Sequence, residues 1–187
     1  MRKQFCRYIV DHLLQKKDFV FLTGDLGFNA FEEIEEYLGN RFINCGISEA
    51  NMIGVAAGLS FSKLEVWVYS IAPFVSLRPL EQIRNDICFQ NLPVRLVGNG
   101  GGYGYGIMGP THHAIEDYGI LLTLPNIKCF IPAINEDIKS IMEIINKEKY
   151  PTYLRLGTSI SNKIISQFTY SKWRNILKGD KGVLIIA

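Results

Sequence analysis

Short, mostly apolar segments alternate with helical patterns along most of this chain, and that alternation constrains the fold more than any single motif. Apolar strands of this kind are buried on both faces, and helices between successive strands favour parallel pairing. The predicted strands are residues 18–23, 42–44, 65–69, 93–97, 127–131 and 152–156. The predicted helices are residues 4–15, 31–38, 48–61, 78–89, 113–124 and 135–147. The sequence therefore predicts a three-layer α/β fold, in which a mostly parallel sheet carries helices on both faces.

The carboxyl ends of parallel strands meet at one edge of the sheet, where ligands bind in open α/β folds. In this chain Asp25, Cys45, Tyr69 and Gly98 lie at or just beyond the predicted strand ends. We therefore expect the functional residues to lie along this edge.

The predicted helix over residues 48–61 carries one carboxylate at its start and almost no side-chain bulk beyond it. Ser48 is placed to cap the helix, and Glu49 falls in the first turn, where the helix dipole favours an acid. Gly54 and Gly58 each cost about 1 kcal/mol relative to alanine in a helix. Their presence predicts close packing against another backbone, such as that of a partner subunit. Glu49 is then either a functional acid beside an interface or an ordinary first-turn acid in solvent.

A glycine-rich loop occupies residues 98–109, directly after the fourth predicted strand. It contains a G-x-G-x-x-G triplet at Gly104, Gly106 and Gly109. The triplet lies far from the strand end, and no acidic residue ends the next strand, which argues against a nicotinamide dinucleotide site. The sequence also has no G-x-x-x-x-G-K-[ST] phosphate loop. The loop can bring backbone amides near a substrate or simply turn a corner.

Two histidines, His112 and His113, follow this loop at the predicted start of the helix over residues 113–124. A histidine where a strand-end loop enters a helix is well placed for function, although a lone histidine often serves only as a hydrogen-bonding group. His112 and Glu116 have H-x-x-x-E spacing, but no third ligand is evident, so we predict no metal there. Glu116 and Asp117 are instead expected to stabilise the helix start.

Composition restricts the class of protein. A net charge of +2 over 187 residues argues against a nucleic-acid binder. The most apolar windows fall well short of the ~20 residues that a membrane span needs. The four cysteines are scattered, without a C-x-x-C pair or a secretory signal, so we expect reduced thiols rather than disulfides or a zinc site. A cytoplasmic protein that binds neither nucleic acid nor membrane is therefore expected.

The alternation of strands and helices ends at Gly157, and residues 158–181 are polar, mildly basic and aperiodic. This segment is predicted to be a linker. Residues 182–187 have the pattern of a new buried strand with no partner element after it. We predict one domain over residues 1–157, then the linker, then the first strand of a truncated carboxyl-terminal domain of a longer polypeptide.

Three separated motifs occur along this chain, in a fixed order. They are C-G-I-S-E-A-N-M-I-G-V-A-A-G at 45–58, Y-S-I-A-P-F-V-S-L-R at 69–78 with E-Q-I-R at 81–84, and G-P-T-H-H-A-I-E-D at 109–117 with L-P-N at 124–126. Over residues 1–157 the chain resembles the pyrimidine-binding domain of the transketolase family. The likeness is greatest to the carboxyl-terminal subunit of split, two-gene transketolases, and more distant to deoxyxylulose-phosphate synthase.

The resemblance implies thiamine diphosphate as the cofactor and gives Glu49 the central role. Glu49 matches the family glutamate that hydrogen-bonds the N1' nitrogen of the cofactor's aminopyrimidine. That bond drives the opposite amine into its imino form, which takes the proton from the thiazolium C2. A carboxyl among small apolar residues, covered by a partner, would be desolvated and protonated, and could then donate to the ring. His112 matches a family histidine near the reacting centre, suited to proton transfer or to holding a substrate hydroxyl.

Four further residues match cofactor-binding positions of the family. Phe74 matches the aromatic residue that stacks on the pyrimidine ring, although core filling would also explain it. Ile71 and Leu77 replace the aromatic residues that flank this position, which thins the pyrimidine pocket without removing it. Asp25 matches the family aspartate near the cofactor.

The substrate positions depart from the family pattern. Transketolases have a substrate-binding histidine twelve residues before the His112 position and an aspartate four before it, where this chain has Gly100 and Met108. A family serine that binds sugar phosphate matches Asn29. The resemblance therefore implies a substrate site at His112, Asn29 and Met108, but it leaves selectivity for ketose phosphates open.

The family's diphosphate-binding domain, which holds the cofactor's Mg2+, has no counterpart in this sequence. The resemblance therefore implies a partner subunit that supplies it, within a homodimer or a heterotetramer. The leading interpretation is a transketolase-like transferase that moves a two-carbon ketol unit between sugars or sugar derivatives. The alternatives are a deoxyxylulose-phosphate-synthase-like or 2-oxoacid-processing subunit, and a non-catalytic assembly subunit, against which the presence of Glu49, Phe74 and His112 argues.

Overall fold

The computed structural model describes residues 1–157, together with residues 170 and 171. The strands are β1 (Phe19–Thr23), β2 (Phe42–Asn44), β3 (Glu65–Ile71), β4 (Arg95–Asn99), β5 (Lys128–Phe130) and β6 (Thr152–Leu156). They form one six-stranded sheet in the order β2-β1-β3-β4-β6-β5, and every neighbouring pair is parallel. The predicted fold class is confirmed.

Helices connect the strands and cover both faces of the sheet. They are α1 (Arg2–His12), α2 (Glu32–Leu38), α3 (Glu49–Phe61), α4 (Ala72–Ser76), α5 (Leu80–Gln82), α6 (Asp117–Leu121) and α7 (Asp137–Lys147). A π-helix, Ile83–Cys88, continues α5, so the helix predicted over residues 78–89 is present in two parts. One apolar core lies between the sheet and α1, α2 and α7, and the other between the sheet and α3, the π-helix and α6.

Strand β1 shows how one apolar run serves both cores. Phe19 and Phe21 pack into the core that contains α1, whereas Val20 and Leu22 pack into the core that contains α3. Successive side chains of a strand point to opposite faces of the sheet, so a strand covered on both sides needs no polar alternation.

The predicted long helix over residues 113–124 is wrong. Helix α6 begins only at Asp117 and has five residues. Before it, Ala114 pairs with Gly102 of the glycine-rich loop, and their N–H groups donate to each other's carbonyl oxygens at 2.9 and 2.8 Å. This long-range pairing holds the segment against the loop and uses the backbone groups that a helix would need.

The fourth strand lies two residues later than predicted. It begins at Arg95 rather than at Pro93, because proline has no N–H to donate to a sheet ladder. It continues to Asn99, so Gly98 belongs to the strand and the glycine-rich loop starts after Asn99.

The predicted Ser48 cap is not formed, and the helix predicted over residues 135–147 begins two residues later. The hydroxyl of Ser48 donates to the carbonyl oxygen of Cys45 at 2.7 Å instead of capping α3. Helix α7 begins at Asp137, and the Oδ1 atom of Asn135 accepts a hydrogen bond from the terminal amine of Met1 at 2.7 Å.

The predicted linker over residues 158–181 and the predicted strand over residues 182–187 lie outside the described residues, apart from residues 170 and 171. Within the described part of the chain, no helix combines the length and the apolar character needed to cross a bilayer.

Candidate cofactor and catalytic site

Glu49 is the first residue of α3, and it is only 3% exposed in the isolated chain. Its Oε2 atom pairs with the guanidinium of Arg78 at 2.9 Å, and its Oε1 atom accepts a longer hydrogen bond from the Ser70 hydroxyl at 3.4 Å. The carboxyl is buried within this chain, but the predicted enclosure by apolar residues is wrong, and cover by a partner subunit stays a prediction. An arginine of the same chain covers the carboxyl and balances its charge.

Phe74 lies in α4, a short helix that was not predicted and that directly follows β3. The Cζ atom of Arg78 lies 3.7 Å from the centroid of the Phe74 ring, which is a cation–π stacking distance. The Arg78 side chain is 45% exposed. It therefore touches both Glu49 and Phe74 while remaining partly in solvent.

His112 also contacts Phe74. Their ring centroids are 5.1 Å apart at an interplanar angle of 63°, an edge-to-face arrangement. The ring of His112 lies 5.8 Å from that of Tyr105. Glu49, Arg78, Phe74, His112 and Tyr105 thus form a continuous series of contacts, which we term the contact row.

Tyr105 ends the contact row, and its position depends on a glycine. Gly100 has a φ of +78°, and a Cβ atom at this position would overlap the Tyr105 ring. Only glycine therefore fits beside the ring at that backbone conformation. The side-chain amide of Asn99 donates to the Tyr105 hydroxyl at 2.9 Å. The phenol occupies the space where a side chain at position 100 would start.

The roles of Arg78 and Tyr105 in this site were not predicted. Arg78 follows Phe74 by four residues, a spacing that places two side chains on one face of a helical turn. That contact could have been inferred from the sequence. Tyr105 reaches His112 only because the glycine-rich loop folds back on itself, and no local pattern reveals such a long-range arrangement.

A buried polar network anchors the glycine-rich loop. The Tyr153 hydroxyl donates to Asp117 Oδ2 at 2.6 Å, and Arg155 Nε lies 3.5 Å from the same oxygen. Arg155 also donates from Nη2 to the carbonyl oxygen of Ala114 at 2.8 Å. A Cβ atom at Gly101 would overlap the Arg155 side chain, so glycine lets the loop pass close over it. Asp117 is fully buried in the first turn of α6, so it belongs to this network as well as to the helix start.

The phenol of Tyr153 is held as a hydrogen-bond donor. Burial raises its pKa well above the usual value, and the negative charge of Asp117 raises the pKa further. Asp117 Oδ1 has no hydrogen-bond partner among the described residues. The other oxygen, Oδ2, therefore takes both the Tyr153 and the Arg155 contacts.

His112 and Glu116 do not lie together on a helix, because Glu116 is only the N-cap residue of α6. The Glu116 carboxylate accepts a hydrogen bond from the N–H of Ile115 at 3.0 Å. Across residues 1–157, 170 and 171, no group of three or more His, Cys, Asp and Glu side chains is arranged to hold a metal ion.

Asp25 and Asn29 lie in the loop between β1 and α2, and both have positive φ, at 54° and 59°. Asp25 exchanges two hydrogen bonds of 3.0 Å with the side chain of Asn44. Asn29 lines a cavity of about 410 Å³ between α1 and α2, and its N–H donates to Glu32 at 2.6 Å. Neither residue belongs to the contact row, so their proposed roles stay predictions.

The remaining predicted site residues lie beside the contact row in the chain. Ile71 ends β3 and Leu77 directly follows α4, so the two bracket the helix that carries Phe74. Met108 ends the exposed 3-10 turn Gly106–Met108, in the same loop as Tyr105. Their contacts with a ligand stay predictions.

Helix α3 has a buried side and an exposed side. Met52, Ile53 and Ala56 face the core and are fully buried. Gly54 and Gly58 are exposed, and a Cβ atom at either would meet no atom of the described residues within 4 Å. Packing among the described residues therefore does not require these two glycines.

Comparison with known proteins supports the resemblance to the transketolase family. A family model described as "Transketolase, pyrimidine binding domain" matches residues 1–162. A subunit of the apulose-4-phosphate transketolase from Phocaeicola vulgatus is 29% identical over 100% of this chain and 61% of its own length. The 1-deoxy-D-xylulose-5-phosphate synthase of Clostridium acetobutylicum is 31% identical over 83% of this chain and 25% of its own length.

Among solved structures, one described as "Split gene transketolase, inactive beta4 tetramer" aligns with a TM-score of 0.77 at 30% identity. The alignment covers 91% of this chain and 55% of that chain. This chain therefore spans 61% or less of the length of each of these proteins. Since the family match covers most of its sequence, the chain belongs to the transketolase pyrimidine-binding domain family.

Proposed function

We propose that this chain is the pyrimidine-binding subunit or fragment of a thiamine-diphosphate-dependent, transketolase-like transferase. The enzyme moves a two-carbon ketol unit between sugars or sugar derivatives. The contact row carries the proposal, because it gathers a buried carboxylate, an aromatic ring and a histidine from three separate segments at the carboxyl edge of the sheet. Core packing alone does not call for a buried carboxylate beside a partly exposed ring.

The residues fit the pyrimidine half of the cofactor. Glu49 offers a carboxyl group for a ring nitrogen, and the partly exposed Phe74 offers a ring face for stacking. Gly24 keeps space beside the carboxyl, since a Cβ atom there would already lie 3.5 Å from Glu49 Oε1. The described residues contain no metal-binding cluster, so we assign the Mg2+ and the diphosphate to a partner domain.

Each residue then has a defined task. When bound, thiamine diphosphate would supply a nucleophilic carbon for reaction with a ketose carbonyl. Glu49 holds a proton at the pyrimidine nitrogen, and Phe74 orients the ring. His112, which touches Phe74, transfers a proton to or from a substrate hydroxyl or holds that hydroxyl by a hydrogen bond. Asp25, with Ile71 and Leu77 flanking Phe74, completes the proposed cofactor contacts.

The substrate side of the site is proposed to lie at His112, with Met108 and Asn29 as further contacts. Position 100 has no side chain, and the Tyr105 ring occupies the adjacent space. We infer that the enzyme selects sugars or derivatives other than the usual ketose phosphates. The similarity to the C. acetobutylicum synthase supports the alternative of a deoxyxylulose-phosphate-synthase-like or 2-oxoacid-processing subunit.

A partner subunit is part of the proposal, since the chain spans 61% of a P. vulgatus relative that is itself one subunit of a transketolase. The open side of α3, around Gly54 and Gly58, is the proposed contact surface in a homodimer or heterotetramer. The relative described as an inactive tetramer agrees with a chain that assembles with itself but needs a partner for activity. The four free thiols support a cytoplasmic location.

Reconstitution tests the proposal. The purified chain with thiamine diphosphate, Mg2+, a ketose donor and an aldose acceptor should show no ketol transfer, and a diphosphate-binding partner subunit should restore it. Turnover by the chain alone would contradict the shared site. A complex that forms but turns over neither ketose nor 2-oxoacid donors would favour the non-catalytic assembly role.

A further inference from the structure

Glu49 is closed to an incoming ring in the isolated chain. The residue is 3% exposed, and Arg78 Nη1 already donates to its Oε2 atom at 2.9 Å. The other oxygen, Oε1, faces Ser70 and the backbone at Gly24. A ring nitrogen can bond this carboxyl only after a covering group moves. Arg78 can move without disturbing either core, because its side chain is half in solvent.

Arg78 contacts both groups that the proposed function assigns to the pyrimidine. Its guanidinium bonds the Glu49 carboxylate and stacks 3.7 Å from the Phe74 centroid. A ring bonded to Glu49 and stacked on Phe74 would need the same volume. A guanidinium is also planar, so it resembles an aminopyrimidine in shape. Its N–H groups donate to the Glu49 carboxylate, whereas the ring nitrogen accepts from the protonated carboxyl.

We infer that Arg78 is a positioning residue that holds the place of the cofactor's pyrimidine ring in the unloaded subunit. It balances the charge of Glu49, covers Phe74, and swings into solvent when the ring binds. This inference rests on the proposed function. It predicts two effects of opposite sign when Arg78 is removed: the unloaded chain becomes less stable, and the complex binds the cofactor more tightly. A residue with a purely structural role would weaken both properties.

The expected size follows from the two contacts. A half-exposed ion pair and a half-exposed cation–π contact each bias an equilibrium by roughly two- to five-fold. Together they favour the closed arrangement by about 4- to 25-fold, and the apparent Kd of the cofactor rises by the same factor. Arg78→Ala should therefore lower that Kd by about 4- to 25-fold.

The test is calorimetric titration of thiamine diphosphate, with Mg2+ present, into the complex of this chain with its partner subunit. Arg84→Ala is the matched control, because Arg84 is exposed on the adjoining π-helix and bonds Asn85 rather than Glu49. Both variants lose one positive charge, which by itself weakens binding of an anionic cofactor. Arg78→Ala should bind more tightly than wild type, and Arg84→Ala equally or more weakly. The unfolding temperature of the unloaded chain should fall only for Arg78→Ala.

Each outcome of the titration either supports or overturns the inference about Arg78. Equal or weaker cofactor binding by Arg78→Ala overturns the inference and leaves the proposed function standing, since the wild-type complex still binds. A wild-type complex that binds no cofactor overturns the proposed function and the inference together. If Arg78→Ala does not fold, Arg78→Gln replaces it, because glutamine keeps much of the side-chain length without the charge. Arg78→Gln must then bind the cofactor more tightly than wild type, by a smaller factor.

Discussion

The substitution Asp117→Asn distinguishes two roles of Asp117, that of an acid at a helix start and that of a partner in a buried ion pair. The two roles predict losses of unfolding free energy of different size. An exposed acid in the first turn of a helix contributes about 0.3–1 kcal/mol to stability. Asp117 is fully buried, and its partner Arg155 has a side chain only 13% exposed. Asparagine keeps the shape and can still accept from Tyr153, but it leaves the arginine without a counter-charge. Breaking a buried ion pair costs about 3–5 kcal/mol, and we expect a loss of about 3 kcal/mol.

Urea unfolding, followed by the fluorescence of the buried Trp67, measures this loss. Glu116→Gln is the matched control, because Glu116 is the exposed neighbour that precedes α6. The control should change the free energy of unfolding by no more than about 0.5 kcal/mol. If Asp117→Asn loses no more than the control, the buried network does not anchor the loop, and Asp117 is a helix-start acid as the sequence suggested.

Two further predictions concern assembly and pH. Gly58→Ala should stabilise the isolated chain by about 0.5–1 kcal/mol, because its Cβ atom meets open space, and should weaken assembly. Gly119→Ala in α6 is the control for the gain in stability, because a Cβ atom there also meets open space. Sedimentation measures assembly. If Gly58→Ala assembles as wild type does, the interface lies elsewhere. Burial raises the pKa of Cys88 to about 11 and that of Cys129 to about 12. The folded state therefore holds these protons more tightly. The stability that these thiols contribute is complete below about pH 8.5, the pKa of an unfolded cysteine, and it is lost as the pH rises from there through 11 to 12. Urea titrations should therefore show the free energy of unfolding falling between about pH 8.5 and pH 12. A flat profile would contradict the burial of these thiols.

The sheet could be predicted from the sequence because a strand that is buried on both faces is apolar at nearly every position, and this pattern is visible in the local sequence. The run that contains Phe19, Val20, Phe21 and Leu22 is apolar at every position and lies between a helix and a turn. Six short, mostly apolar runs separated by helices permit few arrangements other than a parallel sheet. The edge that carries the site follows from that topology.

The details of the site could not be predicted, because they depend on contacts between distant residues. Helical propensity favours a helix over residues 113–124, but the pairing of Ala114 with Gly102 competes for the same backbone groups. The small residues after Glu49 indicate close packing beside it, but they leave open whether its carboxyl is buried or in solvent. Its pairing with Arg78, 29 residues away, could not be predicted, because only the folded chain brings α3 and the segment after α4 together.

Glu49→Gln tests the central claim, that this carboxyl activates the cofactor. Glutamine keeps the shape and can still hydrogen-bond the pyrimidine ring, but it cannot exchange a proton with it. The matched variant Glu49→Ala leaves a buried ring nitrogen unpaired, so it should also weaken cofactor binding, by about 1–3 kcal/mol. Glu49→Gln should bind the cofactor nearly as well as wild type.

The direct measurement is hydrogen–deuterium exchange at the C2 position of thiamine diphosphate bound to the reconstituted complex. A group that takes part in proton transfer typically contributes about 100- to 10,000-fold to the rate. We predict that Glu49→Gln slows the exchange by at least that range while the cofactor stays bound. Equal exchange rates in wild type and Glu49→Gln would contradict the account and make Glu49 a structural acid at the start of α3.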